Sequence, residues 1–138
     1  MPNVRILVVA EHVMIGALLG ALVELAGYRP LFGEAGEAAD AAIERLGPDL
    51  VLLDCEHAAA AGDETYRAAF EAGSRILLFG SSLSASDTER FAARRGAPCI
   101  TLPIGYTAFS QHVRSVLEAR QTQEARVPVR EVRGGASA

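Results

Sequence analysis

The sequence predicts an α/β domain in which a parallel sheet lies between two layers of helices. Five short apolar segments alternate along the chain with longer segments of helical periodicity, which is the pattern of repeated strand–helix units. The apolar segments show little alternation with polar residues, so their strands are expected to be covered on both faces. A length of 138 residues suits one such domain and is too short for two.

The strands are predicted from these apolar segments. Residues 6–9 and 50–53 consist of Ile, Leu and Val alone, which is typical of strands buried on both faces. In chain order, the predicted strands are Val4–Val9, Leu31–Gly33, Leu50–Leu53, Arg75–Phe79 and Cys99–Thr101.

Five helices are predicted over residues 12–26, 35–46, 63–72, 86–95 and 107–120. Glycine follows each of the first four, and it adopts the left-handed conformation that ends a helix at little cost. At the fourth helix, Ser86 and Glu89 have the spacing of a capping box, in which both side chains bind backbone N–H groups. The four glycines are Gly27, Gly47, Gly73 and Gly96.

Composition restricts the class of protein. A net charge of −4 and a pI near 5.4 argue against a nucleic-acid surface, which needs a concentrated basic face. The longest apolar stretch, residues 13–23, falls short of the ~20 residues that span a bilayer, and the N-terminus does not have the pattern of a signal peptide. We therefore expect a soluble cytoplasmic protein that contacts neither nucleic acid nor membrane.

Domain organisation is expected to be simple. Residues 1–120 form the predicted domain, whereas residues 121–138 lack apolar periodicity and end in Gly, Ala and Ser. Such a segment is expected to be a flexible tail or the start of a linker. Cys55 and Cys99 match no metal spacing, and the intervening fourth strand would hold them too far apart for a disulfide.

Acidic residues follow the first and third predicted strands. Glu11 comes soon after the first strand and Asp54 directly after the third. Carboxyl ends of parallel strands meet at one edge of the sheet, where ligands bind, and two carboxylates there suit a hard divalent cation. A mixed site with His12 and His57 is an alternative for a transition metal. The turn around Glu11 lacks the closely spaced glycines of a dinucleotide site.

Taken in order, four segments resemble the response-regulator receiver domains, CheY-like proteins with a flavodoxin-like fold. The segments are Ile6–Val9 before an acidic turn, Asp49–Asp54, Gly62 and Leu102–Pro103. The resemblance covers residues 4–117. It implies a doubly wound sheet with strand order 2-1-3-4-5, two helices on one face and three on the other.

The resemblance also implies roles for individual residues. Asp54 matches the aspartate that receivers phosphorylate, and Glu11 matches an acid that holds Mg²⁺. The backbone carbonyl of Glu56 would be the third protein ligand. Because Ala10 stands where receivers carry a second acid, Mg²⁺ is expected to bind weakly.

Several switch positions depart from the receiver pattern. Gly80 stands in place of a Ser or Thr that binds the phosphoryl group, and Leu102 replaces the lysine before Pro103. Cys99 replaces the aromatic residue that turns inward on activation. No lysine occurs anywhere in the chain, and losing one preorganised electrostatic group commonly slows a reaction ~10²–10³-fold.

A replacement for the missing hydroxyl follows Gly80 directly. Ser81 or Ser82 could supply it, or else cap the following turn.

Together these features predict a two-component, or phosphorelay, regulatory domain that is not an enzyme. It is expected to act by contact with a signalling protein or sensor kinase, with phosphorylation of Asp54 impaired or absent. Two alternatives stay open: a slow but genuine phosphoacceptor served by a partner kinase, and a small flavodoxin-like protein that binds a nucleotide or metal.

The resemblance implies a contact surface formed by the fourth helix, the fifth strand and the fifth helix. A homodimer through this face is one expected form of association. Aromatic anchors are common at such surfaces, and the candidates here are Phe91, Tyr106 and Phe109.

Overall fold

Five parallel strands form the centre of the computed structural model, which describes residues 3–119. The strand order is β2-β1-β3-β4-β5, and each neighbouring pair is parallel. The α/β class and the strand order predicted from the sequence are therefore confirmed. The strands are β1 (Arg5–Val9), β2 (Arg29–Phe32), β3 (Leu50–Asp54), β4 (Arg75–Gly80) and β5 (Cys99–Thr101).

Helices connect the strands as right-handed crossovers require. A short 3₁₀ turn at Ala58–Ala60 precedes the third helix, and a fifth helix, α5, covers residues 106–119. The other helices are α1 (Val13–Leu25), α2 (Ala39–Leu46), α3 (Glu64–Ala72) and α4 (Ala85–Arg95).

Two apolar layers hold the helices against the sheet. Leu19 of α1 and Phe109 of α5 pack with alternate residues of the strands on one face. Ile43 of α2, Ala69 of α3 and Ala92 of α4 pack on the other face. Two helices therefore cover one face and three cover the other, and β3 is fully buried between them, as its uninterrupted apolar sequence predicts.

Two element boundaries differ from the prediction by more than one residue. β2 begins at Arg29 rather than Leu31, because β2 is an edge strand, where a polar residue and Pro30 are tolerated. α2 begins at Ala39 rather than residue 35. The intervening segment turns at Gly36, which has a φ of +78°, and the Glu37 carboxylate accepts the backbone N–H of Glu34 at 2.9 Å.

Helix ends follow local chemistry closely, with two corrections. The C-cap of α1 is Ala26, in the right-handed conformation, and Gly27 lies one residue beyond it with a φ of +91°. Gly47, Gly73 and Gly96 end their helices in the left-handed conformation, as predicted. The N-cap of α4 is Ser84, not Ser86, because the Ser84 hydroxyl accepts the backbone N–H of Asp87 at 3.1 Å. The predicted tail, residues 121–138, lies outside the described residues.

Candidate functional site

Asp54 ends β3 at the carboxyl edge of the sheet, where the sequence predicted a site. The preceding residues of β3 are apolar and fully buried, so the strand carries the carboxylate into the interior. Asp54 pairs with Phe79 of β4 in the sheet register. Its exposed fraction is 0%.

Two backbone N–H groups satisfy the buried carboxylate. Glu11 donates its N–H to Oδ2 of Asp54 at 2.9 Å, and Glu56 donates its N–H to Oδ1 at 2.9 Å. Hydrogen bonds to an ionised acceptor are stronger than neutral ones. Asp54 therefore ties the β1–α1 turn to the loop that follows β3.

Glu56 makes a second connection from the same loop. Its carboxylate accepts the backbone N–H of Ser82 at 3.0 Å and the Ser81 hydroxyl at 3.3 Å. Through its N–H and its carboxylate, Glu56 links Asp54 to the segment between β4 and α4. The resemblance implies a role only for the backbone carbonyl of Glu56, and the sequence does not reveal the partners of its carboxylate.

The donors expected to hold Mg²⁺ fit that cation in kind, since all are oxygens. Each Asp54 oxygen accepts one N–H and keeps a second lone pair. Glu11 and Glu56 are both exposed. Among residues 3–119 there is no cluster of three or more His, Cys, Asp or Glu side chains suited to a metal, so the cation stays a prediction that rests on two carboxylates and a carbonyl.

Thr88 fills the space left by the absent side chain of Gly80. A Cβ built on Gly80 would lie 2.1 Å from Oγ1 of Thr88 and 3.2 Å from both of its side-chain carbons. Thr88 is fully buried, and its hydroxyl donates to the Ser84 carbonyl at 2.9 Å. A hydroxyl from α4 thus occupies the space that a side chain at position 80 of β4 would take, and the local sequence does not reveal this contact.

The two other residues that depart from the receiver pattern, Leu102 and Cys99, lie in apolar surroundings. Leu102 is 8% exposed and packs in the layer beneath α1 and α5, and a cis peptide bond joins it to Pro103. Cys99 is half-buried and packs in the opposite layer, on the α3 and α4 side. Leu102 therefore contributes an apolar side chain after β5, and the Thr88 hydroxyl lies beside Gly80 at the end of β4.

Cys55 follows Asp54, and its thiol is buried. Burial, followed by the charge of Asp54, raises the pKa of Cys55 to about 11. Because the thiolate is the reactive form, this cysteine is suppressed as a nucleophile near neutral pH. Both Cys55 and Cys99 are free.

Arg95 forms a clamp between α4 and the loop after β3. Its guanidinium donates to Asp63 Oδ1 at 2.9 Å and to the Ala61 carbonyl, and it lies 4.5 Å from the centre of the Tyr66 ring. The Tyr66 hydroxyl in turn donates to the Ala60 carbonyl at 2.8 Å. Arginine suits such a position because one planar group can donate to two acceptors and stack on a ring.

A cavity of about 520 Å³ opens beside the site, between α1 and α2. Small residues such as Gly16, Ala17 and Ala42 make room for it, and His12 and His57 lie at its edge. Nδ1 of His57 accepts the Ala59 N–H at 3.0 Å, so this nitrogen is already used within the loop.

The three aromatic anchor candidates differ in exposure. Phe109 is fully buried in the core, so it cannot be a surface anchor. Phe91 is half-buried and packs in the other layer. Tyr106 is 43% exposed, and its hydroxyl donates to the Leu25 carbonyl at 3.1 Å. Of the three, Tyr106 is the most exposed.

Sequence and structure give different results when this chain is compared with known proteins. No family model matches the sequence, and no curated protein matches it significantly. The signal receiver domain of a putative Luxo repressor protein from Vibrio parahaemolyticus, however, superposes with a TM-score of 0.72. That match has 19% identity and covers 91% of this chain and 98% of the other. The chain has the receiver fold.

Further receiver domains agree. That of a modulated diguanylate cyclase from Desulfovibrio desulfuricans gives a TM-score of 0.72 at 20% identity, covering 88% of this chain and 99% of the other. A CheY-like receiver domain protein from Methanospirillum hungatei gives 0.70 at 20% identity, with the same coverage. At these identities the likeness concerns the receiver fold. No helix among residues 3–119 is long and apolar enough to cross a membrane.

Proposed function

We propose that this chain is a cytoplasmic receiver-like domain of two-component or phosphorelay signalling, and that it regulates by protein–protein contact rather than as an enzyme. Asp54 is the phosphoacceptor candidate, and its phosphorylation is impaired. A signalling protein or sensor kinase is its partner. The receiver fold supports the class of domain, and the surroundings of Asp54 support the impairment.

The burial of Asp54 carries the proposal. Phosphoryl transfer needs the donor's phosphorus within ~3–3.5 Å of the attacking oxygen, yet Asp54 exposes no surface. Each of its oxygens also accepts a backbone N–H at 2.9 Å. A phosphodonor would need the groups that cover Asp54 to move, and movement of the backbone at Glu11 or Glu56 would break a hydrogen bond to its carboxylate.

The site also has few groups that could neutralise the charge that develops during phosphoryl transfer. Phosphoryl transfer depends mainly on positioning and electrostatic stabilisation. Leu102 supplies neither a cation nor a hydrogen-bond donor from its side chain. The Thr88 hydroxyl is committed to the Ser84 carbonyl. Mg²⁺ held by Glu11, Asp54 and the Glu56 carbonyl would neutralise part of the developing charge when bound.

The experiment measures phosphorylation of the 138-residue protein by intact mass after incubation with acetyl phosphate and Mg²⁺. A receiver with the full set of acids, hydroxyl and lysine serves as the reference. We expect the native chain to gain a phosphoryl group at least ~100-fold more slowly. Asp54→Asn, which has no acceptor carboxylate, gives the background. A rate equal to the reference would contradict the impairment.

A test with protein phosphodonors distinguishes our proposal from the alternative of a slow but genuine phosphoacceptor. Incubation with histidine-phosphorylated donor proteins should leave Asp54 unmodified under our proposal. Rapid transfer that Asp54→Asn abolishes would show that a partner kinase supplies what this site lacks, and would replace impairment with partner-assisted phosphorylation.

A magnesium titration tests the metal. Amide signals of Glu11, Asp54 and Glu56 should shift with millimolar Mg²⁺, because the cation would lie among these groups. Ala10→Asp should tighten binding, since affinity for divalent ions rises with ligand charge. Unchanged signals in both proteins would reject the metal.

A further inference from the structure

The cavity between α1 and α2 lies where open parallel sheets bind ligands. β1 contributes Leu7 to Ala10 to its lining, and Gly33 contributes from the end of β2. Because α1 and α2 pack on opposite faces of the sheet, the cavity forms a crevice beyond the carboxyl ends of these strands, which is the usual ligand position. Its volume of about 520 Å³ falls within the ~300–1,000 Å³ of small-molecule sites.

The two helices leave this space open because small residues face it. Gly16 and Ala17 of α1 line the cavity, as do Ala39 and Ala42 of α2. Most of the other lining residues are aliphatic or glycine, so the interior suits an apolar group. A larger side chain at any of these four positions would take up part of the volume.

Phe32 forms an aromatic wall of the same cavity. Its ring rests on the backbone of α1 at Gly20, where an added Cβ would lie 2.7 Å from Cζ of Phe32. The residue also lines the cavity and is 51% exposed. Aromatic rings pair favourably in stacked or edge-to-face arrangements, so this wall favours a ligand that contains an aromatic ring.

Two glutamates give the cavity its charge. Glu34 and Glu37 both belong to the lining. The Glu37 carboxylate binds Arg45, with hydrogen bonds of 2.7 Å to each of its oxygens. Arg45 makes its hydrogen bonds to Glu37 rather than to Glu34, whose side chain is exposed. The Glu34 carboxylate is therefore the group positioned to meet a ligand.

The surroundings of the cavity add negative charge. Glu11 lies between Ala10 and His12, which both line the cavity, and Asp54 is hydrogen-bonded to the backbone of Glu11. Nδ1 of His57 accepts an N–H, so the ring is in its neutral form with the proton on Nε2. A crevice lined by one sign of charge attracts ions of the opposite sign. The ligand that complements this cavity is a cation.

We propose that the cavity binds a small aromatic amine. The ring of the ligand occupies the space between Phe32 and the small residues of α1 and α2. Its ammonium group lies at the mouth of the cavity and pairs with the Glu34 carboxylate, because charge-assisted hydrogen bonds are the stronger ones. This binding does not depend on phosphorylation of Asp54, so it adds a chemical input to the regulatory domain proposed above.

Tryptamine, an indole ring with a two-carbon ammonium side chain, serves as the probe for the 138-residue protein. The chain contains no tryptophan, so indole fluorescence reports on the ligand alone. We expect its emission and anisotropy to change on binding, with a Kd below ~1 mM. Indole-3-propionate has the same ring and chain length but a carboxylate in place of the ammonium, and it should bind at least ~10-fold more weakly.

Two pairs of variants test the position of the ligand. Ala17→Phe fills the cavity from an exposed position of α1 and should weaken tryptamine binding more than ~10-fold, whereas Ala21→Phe makes the same change at an exposed alanine outside the lining. Glu34→Gln should weaken binding ~3–10-fold through the lost ion pair. Glu44→Gln, at an exposed glutamate of α2 outside the lining, should leave it unchanged.

Three results would overturn the proposal. The first is an absence of tryptamine binding at ~1 mM. The second is equal binding of tryptamine and indole-3-propionate, which would show that charge does not select the ligand. The third is that each variant and its control have the same effect, which would place the bound tryptamine elsewhere on the protein.

Discussion

Thr88 and Gly80 form one structural unit, although eight positions separate them in the chain. The Thr88 hydroxyl occupies the space of a β4 side chain, and its hydrogen bond to Ser84 fixes the first turn of α4. Glycine at position 80 is thus explained by contact rather than by backbone conformation. The local sequence does not reveal this, because it requires α4 to be placed on the sheet.

The contact predicts the effect of adding a methyl group. Gly80→Ala should lower the free energy of unfolding by about 1–3 kcal/mol, because its Cβ would overlap Thr88. Adding Thr88→Ala should recover much of that loss, giving a coupling of more than ~0.5 kcal/mol in a double-mutant cycle. Urea denaturation measures all three variants.

Gly105→Ala is the control for this cycle, because a Cβ there meets no atom within 4 Å. Its stability should stay within ~0.5 kcal/mol of the native protein. Additive effects of Gly80→Ala and Thr88→Ala would show that the two residues do not share this space.

At the level of elements, α4 is fastened near both ends to the loop that follows β3. Glu56 binds the segment before α4 through Ser81 and Ser82. Arg95, the last residue of α4, binds Asp63, Ala61 and the Tyr66 ring. These contacts oppose a displacement of α4 relative to β3 and α3.

The clamp predicts a specific loss of order. Arg95→Ala should lower the free energy of unfolding by about 1–2 kcal/mol, since it removes a charge-assisted hydrogen bond and a cation–π contact. Amide hydrogen exchange should accelerate in residues 58–66 and at the end of α4. Arg94→Ala, at the exposed neighbouring position, should change neither quantity. Equal effects of both substitutions would contradict the clamp.

For the whole molecule, the contacts of Glu56 and Arg95 predict that the domain has one conformation whether or not Asp54 is phosphorylated. A ligand shifts a conformational equilibrium only through its different affinity for the two states, and moving it from 1:99 to 99:1 requires ~5.5 kcal/mol. Cys99 has no ring to move, and the Thr88 hydroxyl is already bound. Few groups remain to supply that energy.

The measurement compares native and Asp54→Asn proteins, with and without Mg²⁺ and acetyl phosphate. Oligomeric state and partner affinity should agree within a factor of a few in all four conditions. Asp54→Asn should still be less stable by ~1–3 kcal/mol, because an amide NH₂ would face a backbone N–H. A large change confined to the native protein with phosphodonor would mean that the switch works.

The sequence by itself determined the elements and their order. Three local patterns can be recognised from the sequence because each involves residues that are close together in the chain. They are the uninterrupted apolar strands, the helical periodicity and the glycines at helix ends. They also placed Asp54 at a sheet edge, whereas the departures at Gly80, Leu102 and Cys99 were implied by the resemblance to receiver domains. Prediction failed at β2 and at the start of α2, where edge position and a turn at Gly36 override the local pattern.

Tertiary structure alone decided which groups meet at that edge. The N–H bonds to Asp54, the Glu56 link to Ser82 and the Thr88 hydroxyl at Gly80 join different strand–helix units. It also assigned Phe109 to the core and left Val13 and Met14 of α1 exposed. Periodicity shows that a residue is apolar, but burial depends on whether another element covers it, and only the packed chain determines that.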